Sequence, residues 1–144
     1  MHKITHSDFP EIVSMLQFFR EESPEYNYVS DDPVFVTQGL WTMFNAGMMI
    51  GYIEPTKGFL LGGLSHTWYS DRLDAIEQVL FVYPPFRGSS TAVRLIKATE
   101  QQAREAKAFT FSVGVSTGIR EAQTVRLYQK LGYALHGQSL RKEL

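Results

Sequence analysis

The sequence contains no cysteine, which excludes thiol nucleophiles, disulfides and every zinc or iron–sulfur site built on cysteine ligands. It also lacks a strong charge of one sign. Fourteen Lys and Arg against fifteen Asp and Glu give a formal net charge of −1, whereas a dedicated nucleic-acid binder usually carries a basic excess. No apolar run approaches the roughly 18 residues that span a bilayer. The first residues are not followed by the apolar stretch of a secretory signal.

What is present is the composition of a globular domain with a hydrophobic core. Apolar residues make up 44% of the 144 positions and charged residues 20%. Neither repeats nor low-complexity tracts divide the chain, so we expect one domain over residues 1–144 in a cytoplasmic, soluble protein. No His, Asp and Glu cluster has metal-ligand spacing, and we therefore expect no metal.

The first third of the chain has helical patterns. Asp8 is a candidate N-cap, Pro10 suits a first turn, and Glu11 stands three residues after Asp8 as in a capping box. A second helix is predicted to begin at Asp32-Pro33 and to end at Gly47. A short strand at 3–5 precedes the first helix.

Strand patterns follow, and two further helices lie among them. The predicted strands are 48–53 and 59–65, joined as a hairpin, then 75–82, then 109–115, and finally 133–140. Tyr83-Pro84-Pro85 must end the third of these strands, because proline cannot donate to a sheet ladder. The two helices are expected from about Ser89 or Ser90 to Ala106 and from about Arg120 to Leu131. The resulting order, β-α-α-β-β-β-α-β-α-β, predicts a mixed α/β fold.

One segment has the pattern of a ligand-binding site. After the strand ending at Val82, the loop Arg87-Gly88-Ser89-Ser90 opens directly into an amphipathic helix. Small residues let backbone N–H groups approach a ligand, and the first helical turn adds unpaired N–H groups with the positive end of the helix dipole. The pattern is typical of a phosphate or pyrophosphate site, to which Arg87 can add a charge-assisted contact. An ordinary capped helix after a turn has the same spacing and remains the alternative.

Two motifs together resemble the GNAT superfamily of N-acetyltransferases. The stretch from Arg87 to Ala92 is similar to the family's Gln/Arg-x-x-Gly-x-Gly/Ala signature, with Ser90 at the position of its central glycine. Leu127-Tyr128-Gln129-Lys130-Leu131-Gly132-Tyr133 is similar to the Leu-Tyr-x-Lys-x-Gly-aromatic end of the family's last helix. Glu121 and Thr124 stand where asparagine and alanine are common. The serine-rich loop resembles compact members found in bacteriophage genomes.

The resemblance implies a mostly antiparallel central sheet flanked by about four helices. It also implies that acetyl-CoA is the donor substrate and that it binds between the strand ending at Val82 and the strand at 109–115. Backbone groups near Leu80 and Val82 would pair with the pantetheine arm, and one amide near Phe81 or Val82 would polarise the thioester carbonyl. The pyrophosphate would be held by amides of Arg87, Gly88, Ser89, Ser90, Thr91 and Ala92.

Two catalytic residues follow from the same resemblance. Tyr128 would protonate the departing thiolate, although a tyrosine between Leu127 and Leu131 also suits a core position. Glu77 is the candidate base, and it would need burial to raise its pKa from an unperturbed value of about 4.3. A solvated edge carboxylate is the alternative for Glu77, and His66 is a less favoured candidate base.

The function expected from these residues is acetyl transfer from acetyl-CoA to a primary amine by direct attack in a ternary complex. A non-catalytic acyl-CoA-binding or protein-interaction module with the same fold is the alternative. Glu21, Glu22 and Glu25 lie between the first two helices, where carboxylates suit a cationic amine. Trp68 and Tyr69 are candidate linings of the acceptor pocket. A homodimer is compatible with the resemblance, whereas membrane and nucleic-acid partners are not expected.

Overall fold

The computed structural model describes all 144 residues and contains one five-stranded sheet. Its strands lie in the order β1-β2-β3-β4-β5, and every neighbouring pair is antiparallel except β4 and β5, which are parallel. The sheet is therefore mixed and mostly antiparallel, as predicted. The strands are β1 (His2–Lys3), β2 (Met49–Glu54), β3 (Gly58–His66), β4 (Leu73–Val82) and β5 (Phe111–Ser112).

Four helices flank the sheet, and each lies where the sequence pattern predicts one. They are α1 (Phe9–Glu22), α2 (Pro33–Asn45), α3 (Thr91–Glu105) and α4 (Glu121–Lys130). Short 3-10 turns at His6–Asp8 and Pro84–Phe86 lead towards α1 and α3. The observed order agrees with the predicted one up to the end of α4.

The starts of α1 and α2 can be compared with the capping residues predicted from the sequence. Asp32 caps α2, since its side chain accepts a hydrogen bond from the Val34 N–H at 2.9 Å. The predicted capping box at Asp8 and Glu11 is wrong. The Asp8 carboxylate instead accepts from the Thr5 N–H at 2.8 Å, and Glu11 accepts from the Thr56 N–H at 2.6 Å, which ties α1 to the β2–β3 turn.

The core lies on both faces of the sheet because successive strand residues point to opposite sides. Phe59 packs with α1 and α2 in the larger cluster, whereas its neighbour Leu60 packs with α3 and α4. Phe81 and Val82 divide in the same way on β4. Each large apolar side chain buried this way contributes roughly 1.5–3 kcal/mol. The pair α1 and α2 therefore packs on one face of the sheet, and the pair α3 and α4 packs on the other.

A bulge in β4 shapes the functional end of the sheet. Leu61 pairs with Val79 and Gly62 with Glu77, so Gln78 is the extra residue. A bulge bends its strand and increases the local twist. Beyond the two paired positions Ala75 and Ile76, β5 no longer follows β4. The predicted strand at 109–115 is therefore wrong in extent: only Phe111–Ser112 pair, and the alternating residues after them border an opening between the strands.

The predicted terminal strand Tyr133–Leu140 is also wrong. The backbone after α4 forms no strand, and Gly137 has a φ of +69°, which interrupts an extended conformation. Because β5 offers only two paired residues, it provides no long edge for another strand. Tyr133 still packs on the rings of Phe111 and Tyr128, whereas Leu135 and Leu140 are exposed.

Candidate active site

A cleft of about 490 Å³ opens where β4 and β5 diverge. One wall is the outer edge of β4, and the opposite wall is the segment that leads from β5 into α4. The loop before α3 borders the cleft, and α1 and the segment after it border it as well. Its mixed lining of apolar side chains and a few polar groups is typical of a small-molecule site.

Nine of the eleven residues predicted for the site line this cleft. They are Glu77, Leu80, Phe81, Val82, Arg87, Gly88, Ser89, Ala92 and Tyr128. The remaining two, Ser90 and Thr91, are not part of the lining. Ser90 is exposed to solvent outside the cleft. Thr91 is buried, and its N–H donates to Ser89 Oγ at 3.3 Å.

The loop before α3 presents unpaired N–H groups to the cleft. The amides of Gly88, Ala92 and Val93 donate to no protein acceptor, and all three residues line the cleft. Gly88 has a φ of +82°, and a Cβ added there would meet no atom within 4 Å. The free donors of Gly88 in the loop and of Ala92 and Val93 in the first turn of the 15-residue α3 form an arrangement that favours an anion, and the residues present therefore fit a pyrophosphate.

The Arg87 side chain has a different position from the one the sequence suggests. Its Nε donates to the Val82 carbonyl oxygen at 2.8 Å, and its Nη1 lies 2.6 Å from a Glu22 carboxylate oxygen. The guanidinium is thus bound to α1 and to the end of β4. Of the predicted phosphate contacts, the charge-assisted one from this side chain is not supported by its observed partners.

The β4 edge between Glu77 and Val82 has no partner strand. Residues along this edge line the cleft, so an extended ligand can pair with the backbone groups that β3 leaves free, as another strand would. Two groups are exceptions: the Val82 carbonyl accepts a hydrogen bond from Arg87, and the Leu80 N–H donates to the Glu77 carboxylate. The Phe81 side chain is buried and packs on Phe19 of α1.

Glu77 lies at the apex of the cleft, next to the bulge residue Gln78. Burial raises the pKa of its carboxyl to about 7, although hydrogen bonds from Tyr128 and from the Gly114 and Leu80 amides act in the opposite direction. A carboxyl that titrates near neutrality can accept a proton from an amine and release it again.

Tyr128 comes from α4 and is 3% exposed. Its hydroxyl donates to Glu77 Oε2 at 3.4 Å, and its ring packs edge-on against Tyr133. Burial and the nearby Glu77 charge raise the pKa of the phenol above its usual value, so the hydroxyl keeps its proton at neutral pH. The structure therefore brings the two predicted catalytic side chains into contact.

Three other sequence candidates lie away from the cleft. His66 is at the end of β3, where its Nδ1 is 2.9 Å from the Arg72 carbonyl oxygen. Trp68 is 95% exposed and packs on Tyr69 in the β3–β4 connection. None of these residues lines the cleft, so the interpretation of Trp68 and Tyr69 as pocket residues is wrong.

The far side of the cleft contains residues that sequence reasoning missed. Ser23 Oγ donates to the Thr117 carbonyl at 2.6 Å, and the Tyr26 and Ser116 hydroxyls lie 2.6 Å apart. These contacts join segments about ninety residues apart and leave no local signal in the sequence. On α4, Gln123, Thr124 and Leu127 share the lining with Tyr128, and their i, i+4 spacing could have identified them.

The structure has no helix long and apolar enough to cross a membrane. No group of three or more His, Asp or Glu side chains is placed to hold a metal ion.

Comparison with known families decides the identity of this fold. The model of the acetyltransferase (GNAT) family matches residues 2–133. The chain belongs to the GNAT acetyltransferase family. No curated protein sequence matches the chain. The resemblance carried by the loop at 87–92 and by the end of α4 is therefore confirmed at the level of the family, and the likeness to bacteriophage members stays a prediction.

Solved structures of GNAT acetyltransferases share the fold at low sequence identity. An aminoglycoside acetyltransferase from an uncultured soil metagenomic sample has 17% identity and a TM-score of 0.75, covering 99% of this chain and 96% of its own. A Trypanosoma brucei acetyltransferase has 17% identity, a TM-score of 0.73 and coverage of 99% and 97%. The aminoglycoside N-acetyltransferase AAC(6')-Iy, solved with CoA, has 13% identity, a TM-score of 0.76 and coverage of 99% and 92%.

Proposed function

We propose that this GNAT protein transfers an acetyl group from acetyl-CoA to a primary amine by direct attack in a ternary complex. The observation that carries the proposal is the contact between Glu77 and Tyr128 inside the cleft that the unpaired loop amides also border. A base that titrates near neutrality and a protonated phenol are the two groups this chemistry requires.

The donor would bind along the cleft from α3 to the bulge. The free amides of Gly88, Ala92 and Val93 would hold its pyrophosphate, and the unpaired edge of β4 around Leu80 would take the pantetheine arm. The AAC(6')-Iy structure contains CoA, which supports this assignment by analogy of fold. The bound thioester supplies an acyl carbonyl that an amine can attack.

Glu77 would take the proton that the amine loses. Amines are mostly protonated at neutral pH, so a nearby carboxylate is needed both to attract the ammonium and to deprotonate it. The pKa of about 7 makes Glu77 a far better base than a solvated carboxylate near 4.5. Glu77 would release the ammonium proton to solvent before the free amine bonds to the acyl carbon, and it would then take the second proton, which the nitrogen loses as that bond forms.

Tyr128 would give its proton to sulfur as the carbon–sulfur bond breaks. This step leaves a phenolate beside a protonated Glu77, and the 3.4 Å contact provides a path for the proton to return. Both side chains thereby regain their starting states after one turnover. A backbone amide near Phe81 or Val82 would stabilise the oxyanion. Since the chain has no cysteine, no acyl-cysteine intermediate is involved.

An acetyl-transfer assay tests this proposal. Purified protein is incubated with acetyl-CoA and a panel of primary amines that includes an aminoglycoside, and CoA thiol release is compared with acetylated amine measured by mass spectrometry. We expect equal amounts of both products, and we expect Glu77→Gln to reduce both. Binding of acetyl-CoA without any amine product would instead support the non-catalytic acyl-CoA-binding module.

A further inference from the structure

We propose that the acceptor is an amine with a single positive charge on an apolar body, and not a polyamine or a polycationic aminosugar. This inference rests on the proposed function. It follows from the part of the cleft lining outside the loop before α3 and outside α4, named here the acceptor end. Its apolar and aromatic residues come from α1, the α1–α2 segment, β4 and the segment before α4: Leu16, Phe19, Tyr26, Val29, Val79 and Ile119. The same elements also supply the polar lining residues Gln78, Ser116 and Thr117.

The acceptor end is predominantly apolar. Val79 and Ile119 pack beside the cluster that contains Leu16 and Phe19, so these side chains form a continuous wall. Tyr26 adds an aromatic face whose hydroxyl already bonds to Ser116 at 2.6 Å. Burying the apolar body of a ligand against this wall favours binding. The wall offers few carboxylates or hydrogen-bond acceptors to several ammonium groups.

The carboxylates that could attract additional positive charges are unavailable. Glu22 is paired with Arg87 at 2.6 Å, and Glu25 lies 3.3 Å from Arg141. Neither residue lines the cleft, and neither does Glu21. The sequence expectation that this acidic segment recognises a cationic amine is therefore not supported by the placement of its side chains. Glu77 is the single carboxylate in the lining, and it serves one nitrogen.

Arg120 adds a positive charge to the cleft lining. It follows Ile119 at the start of α4, lines the cleft, and its side chain makes no hydrogen bond or ion pair. Its backbone is held in place by the Thr124 N–H, which donates to its carbonyl at 3.1 Å. Arg120 is exposed, and its guanidinium, which is always charged, repels another cation in the cleft through an interaction that solvent and salt screen. An ammonium group beside Glu77 thus has an opposite charge as its partner, whereas a second ammonium group is repelled by Arg120.

A matched pair of acceptors isolates the second charge. Hexylamine and 1,6-diaminohexane share one chain length and differ by one amine, and kanamycin supplies a polycationic aminosugar. We expect kcat/KM for hexylamine to exceed that for the diamine by about tenfold at low ionic strength, and the ratio to shrink as salt is added. Kanamycin should be a poorer acceptor than hexylamine.

Arg120→Gln and Arg120→Lys separate charge from shape. We expect the hexylamine-to-diamine ratio to fall about threefold or more in Arg120→Gln and to be kept in Arg120→Lys. A wild-type preference for the diamine or kanamycin, or a ratio that Arg120→Gln leaves unchanged, overturns this inference while leaving the transferase function intact. If the protein binds acetyl-CoA but acetylates no amine, the proposed function fails and this inference fails with it.

Discussion

The Tyr128 hydroxyl donates to Glu77 Oε2 at 3.4 Å, although the two residues lie 51 positions apart on α4 and β4. The contact lies beside the Gln78 bulge and just beyond Ile76, the last residue of β4 that pairs with β5. It joins a candidate base to a candidate acid. The two residues can therefore pass a proton between them and return to their starting states within one turnover.

Glu77→Gln tests the base. We expect kcat/KM to fall by about 10²–10⁴-fold, which is the usual contribution of general acid–base catalysis. In the wild type, kcat/KM should rise with pH and level off above about 7, because the base form of Glu77 is the active one. The variant should lose this inflection. The measurement is a pH–rate profile, with Glu121→Gln on the first turn of α4 as the matched control.

The same pKa makes a prediction about stability. The folded-state pKa of Glu77 is raised from 4.5 to about 7, so the folded protein holds this proton more tightly than the unfolded chain does. Its contribution is complete below about 4.5 and is lost as the pH rises through about 7. Urea unfolding at several pH values should show the wild type losing stability relative to Glu77→Gln across this window. Parallel curves for the two proteins would contradict the raised pKa.

Tyr128→Phe removes the phenol proton and keeps the ring. We expect kcat to fall about 10- to 100-fold while the affinity for acetyl-CoA changes little, since the ring still packs against Tyr133. Single-turnover kinetics and calorimetry measure the two quantities. Tyr133→Phe is the matched control, because its hydroxyl contacts Glu100 outside the cleft. A variant that keeps full kcat would show that Tyr128 is a core residue without a catalytic role.

Arg87→Ala tests a stabilising contact. Arg87 joins Glu22 of α1 to the Val82 carbonyl, and its side chain and that of Glu22 are 20% and 21% exposed. Removing one partner of a largely buried charged pair should lower the free energy of unfolding by about 1–3 kcal/mol. Arg141→Ala breaks a more exposed pair with Glu25 and should cost about 0.5 kcal/mol or less. If urea denaturation shows that Arg87→Ala and Arg141→Ala lose the same free energy of unfolding, this prediction is contradicted.

The element order could be predicted from the sequence because each element carries a local signal. Pro33 and Asp32 identify the start of α2, and Pro84-Pro85 require β4 to end near Val82. The terminal strand was predicted wrongly, because apolar alternation at 133–140 shows a tendency to form a strand and does not show whether a partner edge exists. That edge is missing since β5 pairs at only two positions.

The site was predictable where a motif is continuous in the chain. Gly88 and Tyr128 belong to such motifs, and both line the cleft. The side-chain partners of Arg87 could not be predicted, since Glu22 lies 65 residues away and the pair forms only when α1 packs on the sheet. The lining by Ile119 and Arg120 was missed for the same reason: it depends on how two distant loops meet.

Calorimetric titration with acetyl-CoA tests the central claim most directly, with Gly88→Glu and Gly47→Glu compared against the wild type. Both glycines have positive φ and open space around the added Cβ, but only Gly88 borders the cleft. The account predicts micromolar binding by the wild type and by Gly47→Glu, and its loss in a folded Gly88→Glu, where a carboxylate faces the pyrophosphate. Absence of binding by the folded wild type, or equal binding by Gly88→Glu, would contradict it.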